Sequence, residues 1–430
     1  MEEVIVKKSV LRGLINCPPS KSYSHRAVVV SSLAEGESLL TNPLRSRDTN
    51  ATIIGCKALG VEIKDGPKHI VISGRNRFSA PNDVINVENS GTTLRFLTPM
   101  SALVEKGFTV ITGDESIRRR PMGPMLRALN NVGVKCYSTR LNGSAPIIVK
   151  GGGIRGGNTT LCGTVSSQFL SGILISGIYA QSELEIQIEG RQVSRPYIDS
   201  TIAIMKEFGI RIEKSSDYSF FSVREGRYKP TSFNIPGDFS AAALMLSAGA
   251  MLAEELIVSG LDFSFPQGDS KIVEFLERLG AKIKKKIGSG QLSVSSCESF
   301  DGGEFDLSDT PDLLPAISIL SLKSRKPIRI FGISHARFKE TDRLGIIASE
   351  LSKLGLEIKV KNDELLLNKK GELKSACLDA HNDHRLFMSF VIAAMLTDGS
   401  VIRGAESVDV SYPKFLADMK KLGGNIDPYR

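Results

Sequence analysis

Six times along the chain, a stretch that is apolar nearly all round gives way to a short run of strand-forming residues. A second stretch, with a single apolar stripe, follows, and then another strand-like run. A helix apolar all round is buried, whereas a striped helix lays one face on a core. Ala241 to Leu252 and Leu386 to Leu396 are of the first kind, and Ile272, Val273, Leu276 and Leu279 form a stripe of the second. Glu185 to Ile188 and Ile328 to Phe331 read as strands laid around the buried helices. Each striped helix ends in an apolar residue and a glycine: Leu59-Gly60, Val132-Gly133, Phe208-Gly209, Leu279-Gly280, Leu354-Gly355 and Leu422-Gly423. Glycine just past a helix supplies the left-handed C-terminal cap. A second mark, at Asn42, Gly113, Gly190, Gly260, Gly332 and Gly404, closes each first helix and strand. The first mark recurs every 68 to 76 residues and the second every 70 to 77, in phase. Two marks in phase along the whole chain define six copies of one α/β unit.

A chain of 430 residues exceeds a single hydrophobic core, and three such units make a domain of ordinary size. Two domains are therefore expected, with the break near Tyr228 to Pro236, where Lys-Pro and Ile-Pro-Gly interrupt the pattern. No apolar run approaches the roughly 20 residues that span a bilayer. The N-terminal Met-Glu-Glu-Val-Ile-Val-Lys-Lys lacks the apolar centre of a signal peptide. Six scattered cysteines, with no Cys-x-x-Cys pair, suit free thiols in a reducing cytoplasm. The net charge of +8 points to anionic partners. The chain has no Trp and few other aromatics, so the stacking platforms of nucleic-acid binders are missing. Lys282 to Lys286 reads as the solvated part of a strand. A small, highly charged anion fits better than a polymer or a membrane.

The starts of the helices carry the chemistry. The buried helices open on Ser20-Lys21-Ser22, Asn89-Ser90-Gly91-Thr92, Ser166-Ser167-Gln168, Gly237-Asp238, Thr310-Pro311-Asp312 and Asn382-Asp383-His384-Arg385. The striped helices open on Arg47-Asp48, Arg120-Pro121, Arg195-Pro196-Tyr197, Gln267-Gly268-Asp269, Lys339 to Arg343, and Ser411-Tyr412-Pro413. Asn, Ser, Asp and Pro are good caps and need no further reason. The cations do, because a positive side chain at a helix N-terminus opposes the macrodipole by about 0.3–1 kcal/mol. Lys21, Arg120, Lys339, Arg343 and Arg385 all accept that cost, and an anion bound among them would explain it.

These residues resemble those of the 5-enolpyruvylshikimate-3-phosphate synthase family of enolpyruvyl transferases. The matching segments are Pro-Ser-Lys-Ser-x3-Arg (Pro19 to Arg26), Asn-x-Gly-Thr (Asn89 to Thr92) and Arg-Arg-Pro (Arg119 to Pro121). Ser-Ser-Gln-Phe (Ser166 to Phe169), Lys-Glu-Thr-Asp-Arg-Leu (Lys339 to Leu344) and Asp-His-Arg (Asp383 to Arg385) continue the series in order. The resemblance implies the α/β two-domain enolpyruvyl transferase fold: six βαβαββ repeats, three per domain, with buried parallel helices and sheets outside. The domains are expected at residues 13–230, and at 1–12 with 231–430. It also implies enolpyruvyl transfer from phosphoenolpyruvate to the 5-hydroxyl of shikimate 3-phosphate, with no metal and no organic cofactor, in a cytoplasmic monomer.

Carried over by position, Ser22 and Arg26 would hold the shikimate carboxylate, and Ser166, Ser167 and Ser194 its phosphate. Tyr197 and Gln168 would line the ring, and Asp312 and Lys339 would meet the 4- and 5-hydroxyls. His335 and Lys21 complete the shikimate 3-phosphate set. Phosphoenolpyruvate would meet Lys21, Asn89, Gly91, Thr92, Arg120, Gln168, Arg343 and Arg385. Asp312 or Glu340 would move the protons, with Lys21 a third participant. Gly91 leaves room for the slightly larger phosphoenolpyruvate mimic glyphosate.

The chain departs from the family pattern at three places. Val410 stands where many relatives carry Lys, His335 where they often have Asn, and Phe96 where Pro is frequent. The related transferase acting on UDP-N-acetylglucosamine typically has Lys-Asn at the place of Lys21-Ser22 and a loop cysteine near Arg118 to Arg120, where this chain has none. His381-x-x-His384 offers too few ligands for a metal. Gly151 to Gly157 lacks the Gly-Lys-Ser/Thr of a phosphate-binding P-loop.

Overall fold

The structure is a computed structural model that describes residues 2–429. Its contacts divide the chain into two compact units. One runs from Pro19 to Pro236; the other joins the N-terminal segment through Pro18 to everything from Gly237 onward.

In the Pro19–Pro236 unit the inner helices are Lys21–Leu33, Gly91–Ser101 and Ser167–Gly177, each buried on almost every side. The striped helices Arg47–Ala58, Gly123–Asn131 and Arg195–Glu207 bury one face only. In the second unit the inner helices are Phe239–Leu252, Leu314–Leu320 and His384–Ala394. Their outer counterparts are Ile272–Arg278, Arg343–Lys353 and Phe415–Lys421. Six four-stranded sheets accompany them.

The third and fifth repeats show the unit in full. Gly157–Cys162 pairs parallel with Leu184–Glu189 after the chain has crossed over through an inner helix, and Phe220–Val223 then adds antiparallel. Gly303–Asp306, Ile328–Phe331 and Glu364–Lys369 repeat the arrangement. Parallel neighbours need such a crossover, whereas the closing hairpin needs only a short turn. Periodicity alone finds one strand after each striped helix, where the structure has a hairpin, as in Glu62–Asp65 with His69–Gly74. It also misses opening strands as short as Ile85–Asn86.

The repeat marks have a backbone cause. The six glycines that close the striped helices have φ between 87° and 104°, where an L side chain would be strained. Of the second set, Asn42, Gly190, Gly260, Gly332 and Gly404 are also left-handed, and Gly113 is not.

The expected boundaries at 12/13 and 230/231 need correction. Leu11–Asn16 pairs parallel with Ala253–Ser259, so the N-terminal segment stays with the second unit as far as Pro18. Ser232–Asn234 pairs parallel with Gly36–Thr41 and belongs to the first unit. Each of these strands precedes one inner helix in sequence but opens the sheet of a different repeat. The first and fourth repeats have thus exchanged opening strands. Glu3–Lys7 lies between Ser400–Arg403 and Asn425–Tyr429, antiparallel to both, completing the sixth sheet.

Candidate active site

In the first unit the expected residues gather around the openings of the three inner helices. Ser20 caps the helix Lys21–Leu33, accepting from Tyr23 N at 3.4 Å. Lys21, the first helical residue, meets a carboxylate: its Nζ donates to Asp48 Oδ2 at 2.9 Å, with both side chains largely buried. Asp48 itself lies in the first turn of a striped helix, where a negative charge is favoured.

Arg26 is 1% exposed and serves as an internal tie. Its Nε donates to Thr201 Oγ1, its Nη1 to Ser22 O and Oγ, and its Nη2 to Tyr197 O. Four of a guanidinium's five N–H groups are thereby engaged, which rules out a two-pronged grip on a carboxylate in this conformation. Burial lowers the Arg26 pKa to about 10. Phe96, one of the departures from the family pattern, lies under the guanidinium at 5.3 Å, a cation–π contact.

Ser166 caps the helix Ser167–Gly177, accepting from Gln168 N at 3.3 Å. Gln168 spans two partners. Its Oε1 accepts from Arg95 Nη1 at 2.6 Å, and its Nε2 donates to Thr92 Oγ1 at 3.0 Å. Ser194 has φ 55° and ψ 40°, left-handed for a non-glycine residue, and its hydroxyl takes no part in capping the helix it precedes. Such backbone costs about 1–3 kcal/mol and clusters at functional sites. Arg120 donates through Nη2 to Asn89 Oδ1 and Ser116 Oγ. A Cβ on Gly91 would lie inside the contact radius of Arg120 Nη1 and 3.1 Å from Arg95 Nη1.

The second unit holds a denser cluster. Arg343, 1% exposed, gives Nε to Asp383 Oδ2 at 2.8 Å, Nη1 to Asp312 Oδ1 at 3.0 Å and Nη2 to Glu340 Oε2 at 2.6 Å. Arg385 Nη2 stands 3.1 Å from Asp312 Oδ2, and Lys339 Nζ 3.5 Å from Asp312 Oδ1. Burial works against the charge on Arg343, yet Asp383, Glu340 and Asp312 together raise its pKa. Burial lowers the Lys339 pKa, with Asp312 opposing. His335 is brought down to about 4 by burial and by Lys339, so it is a neutral imidazole. Its Nε2 is buried with no hydrogen-bond partner.

The cations at the helix openings are thus largely matched by carboxylates from within each unit. This narrows the argument from cations to a bound anion, because Lys21, Lys339, Arg343 and Arg385 each have an acidic partner. What the arrangement offers is held polarity. Asp312 meets three cations, so its carboxylate is held in place beside donors already fixed around it.

Sequence reasoning missed Asp48, Arg95 and Asp383. Asp383 accepts from Arg343, and it also caps the helix His384–Ala394 by accepting from Arg385 N at 3.0 Å and Leu386 N at 3.3 Å. The available signal was an acid at a helix opening opposite an unexplained cation. Val410, the third departure, is buried, and the nearby Lys414 is exposed. Among the described residues, no helix is long and apolar enough to cross a membrane.

The comparisons with known proteins agree along the full length. A sequence model of the family described as EPSP synthase (3-phosphoshikimate 1-carboxyvinyltransferase) matches residues 5–419. A Nitrosopumilus maritimus protein named 3-phosphoshikimate 1-carboxyvinyltransferase is 41% identical over 423 residues, covering 98% of this chain and 99% of the relative. A Methanocaldococcus jannaschii protein of the same name is 38% identical, covering 99% of each. The solved EPSP synthase of Acinetobacter baumannii shares the fold, with a TM-score of 0.83, 24% identity and full coverage of both chains. The enolpyruvyl transferase NikO from Streptomyces tendae shares it at a TM-score of 0.77. The sixfold repeat, the residues at the helix openings and the full-length matches lead to one conclusion: the chain belongs to the EPSP synthase family.

Proposed function

We propose that this protein transfers the enolpyruvyl group of phosphoenolpyruvate to the 5-hydroxyl of shikimate 3-phosphate, releasing phosphate in the shikimate pathway of aromatic biosynthesis. The observation that carries this reading is the 41% identity, over 98% of the chain, to a protein named for that activity. Within each unit, the clustering of the assigned residues at the helix openings supports the reading, and the roles below follow the family pattern. Asp312, a carboxylate among three cations, accepts the 5-hydroxyl proton as the oxygen attacks C2 of phosphoenolpyruvate. The methylene carbon takes a proton from Glu340 or Lys21, giving a tetrahedral adduct with a methyl group. Loss of a proton from that methyl group and of phosphate from C2 yields the enol ether. Arg120, Arg385 and Arg343 hold the carboxylate and phosphate of phosphoenolpyruvate, with Asn89, Gly91 and Thr92 beside them. Ser166, Ser167 and Ser194 hold the shikimate phosphate, and Ser22 with the remaining Arg26 N–H receives the carboxylate. His335, neutral, adds one neutral hydrogen bond. Fixing two polyanions in reacting geometry is itself a large part of the rate enhancement. The scheme uses no metal and no organic cofactor. A cytoplasmic monomer is part of the same proposal, and the six unpaired cysteines agree with a reducing compartment.

Acceptor choice tests the reading. Phosphate release from phosphoenolpyruvate should require shikimate 3-phosphate and should not occur with UDP-N-acetylglucosamine. Lys21→Ala and Arg120→Ala should each lose it by at least about 100-fold, the scale of a lost proton-transfer group or misplaced reactant. Release with the nucleotide sugar instead would overturn the assignment.

A further inference from the structure

A buried chain of polar side chains crosses the interior of the first unit and ends at Lys21, and the substrate assignments above leave most of it unused. Thr93 Oγ1 donates to Ser90 Oγ at 2.7 Å. Thr52 Oγ1 lies 2.6 Å from Thr93 Oγ1, and His25 Nδ1 lies 2.6 Å from Thr52 Oγ1. A hydroxyl has one proton to give. With the Thr93 proton committed to Ser90, Thr93 must accept from Thr52. Thr52, its own proton spent, must then accept from His25. The imidazole proton therefore sits on Nδ1, and Nε2 carries a lone pair.

That lone pair stands in an unusual place. His25 is fully buried, its Nε2 has no hydrogen-bond partner, and it lies 4.0 Å from Asp48 Oδ2. The same Asp48 oxygen accepts from Lys21 Nζ at 2.9 Å. Burial, with the Lys21 and Arg26 charges nearby, holds the His25 pKa well below its ordinary value, so the ring stays neutral beside the carboxylate. Unpaired buried acceptors are costly and rare. Here the other tautomer would turn a proton toward Asp48 and compete with Lys21 for it.

We propose that His25 is a positioning residue for Lys21: the hydroxyl relay Ser90–Thr93–Thr52 locks the imidazole in its Nδ1–H form, which withholds a proton from Asp48 and leaves Oδ2 to the Lys21 ammonium. The inference rests on the assignment of Lys21 to the substrate site. Thr52→Val removes the acceptor for Nδ1 while keeping the side-chain shape. It frees the ring to adopt the Nε2–H form and bind Asp48.

Nitrogen-15 NMR of the imidazole, in the intact protein, reads the tautomer directly. The wild type should show a protonated Nδ1 and an unprotonated Nε2. Thr52→Val should move the proton toward Nε2 and lower kcat/KM for phosphoenolpyruvate by about 10- to 100-fold, the scale of a roughly 1 Å misplacement. His25→Asn, whose amide can still donate to Thr52 but cannot reach Asp48 as Nε2 does, should stay within a few-fold of wild type. A deep loss in Thr52→Val beside a mild one in His25→Asn would assign the effect to a misplaced Nε2 proton and not to lost packing. An Nε2–H tautomer in the wild type would overturn the proposal. So would a tautomer shift in Thr52→Val with unchanged kinetics, or a His25→Asn loss as deep as that of Thr52→Val. If Thr52→Val does not fold, the wild-type tautomer and His25→Asn decide. The tautomer is read without substrate, so an enzyme inactive on the assigned pair would overturn the substrate reading and not the relay.

Discussion

Replacing Arg343 with methionine is expected to destabilise its unit by about 3–5 kcal/mol, the usual cost of removing one partner from a buried ionic cluster. Arg343 is 1% exposed and is the common partner of Asp312, Glu340 and Asp383, of which Asp383 is completely buried. Without it, three carboxylates lose their shared guanidinium, although Lys339 and Arg385 still pair with Asp312. For a unit of this size the midpoint of thermal unfolding should fall by on the order of 10 °C. Adding Asp383→Asn should recover part of the loss by removing one uncompensated charge. Activity should fall with stability, since the same guanidinium orients both candidate proton-transfer carboxylates. Calorimetry of the single and double variants tests this. A drop of less than about 1 kcal/mol would mean that the cluster behaves as an exposed ion pair.

Gly91→Ala is the second change with a large expected effect, and it acts on binding. The added methyl would overlap Arg120 Nη1 and crowd Arg95 Nη1 at 3.1 Å. Arg120 is 6% exposed and tied to Asn89 and Ser116, so it can move only by breaking those bonds. Arg95 in turn holds Gln168. The variant should therefore raise KM for phosphoenolpyruvate by about tenfold or more, since displacements near 1 Å cost up to about 100-fold. It should also weaken glyphosate inhibition further, on the expectation that the inhibitor occupies the space beside Gly91. Steady-state kinetics with both ligands provide the check. Equal inhibition of wild type and variant would show that Gly91 does not border the site.

The repeat was legible because its marks are backbone requirements. A helix that must turn left-handed at its end uses glycine, and six did so at φ near 90°. The exchanged strands were not legible, since Leu11–Asn16 and Ser232–Asn234 occupy the expected places in sequence. Only their pairing, with Ala253–Ser259 and Gly36–Thr41, shows which sheet each opens. The same limit applied to the site. Cations at helix openings could be recognised one at a time by their conflict with the dipole. Their counter-charges could not, because Asp48 lies 27 residues from Lys21 and Asp383 lies 40 residues from Arg343. Arg26 is the sharpest case. Its type suggests a carboxylate ligand, while its second role, as a structural tie to Thr201, Ser22 and Tyr197 with one N–H to spare, shows only in the fold.

Enolpyruvyl transfer by addition followed by elimination leaves an isotopic mark when the reaction runs in D2O. Phosphoenolpyruvate and shikimate 3-phosphate are mixed with the protein and followed by proton and phosphorus NMR. The adduct's methyl group would contain one deuteron from solvent, and elimination removes one of its three hydrogens. The enol ether product should therefore appear with inorganic phosphate and carry deuterium on its vinyl carbon. Phosphate accompanied by pyruvate and unchanged shikimate 3-phosphate, or an enol ether free of deuterium, would rule out transfer through a methyl-bearing adduct.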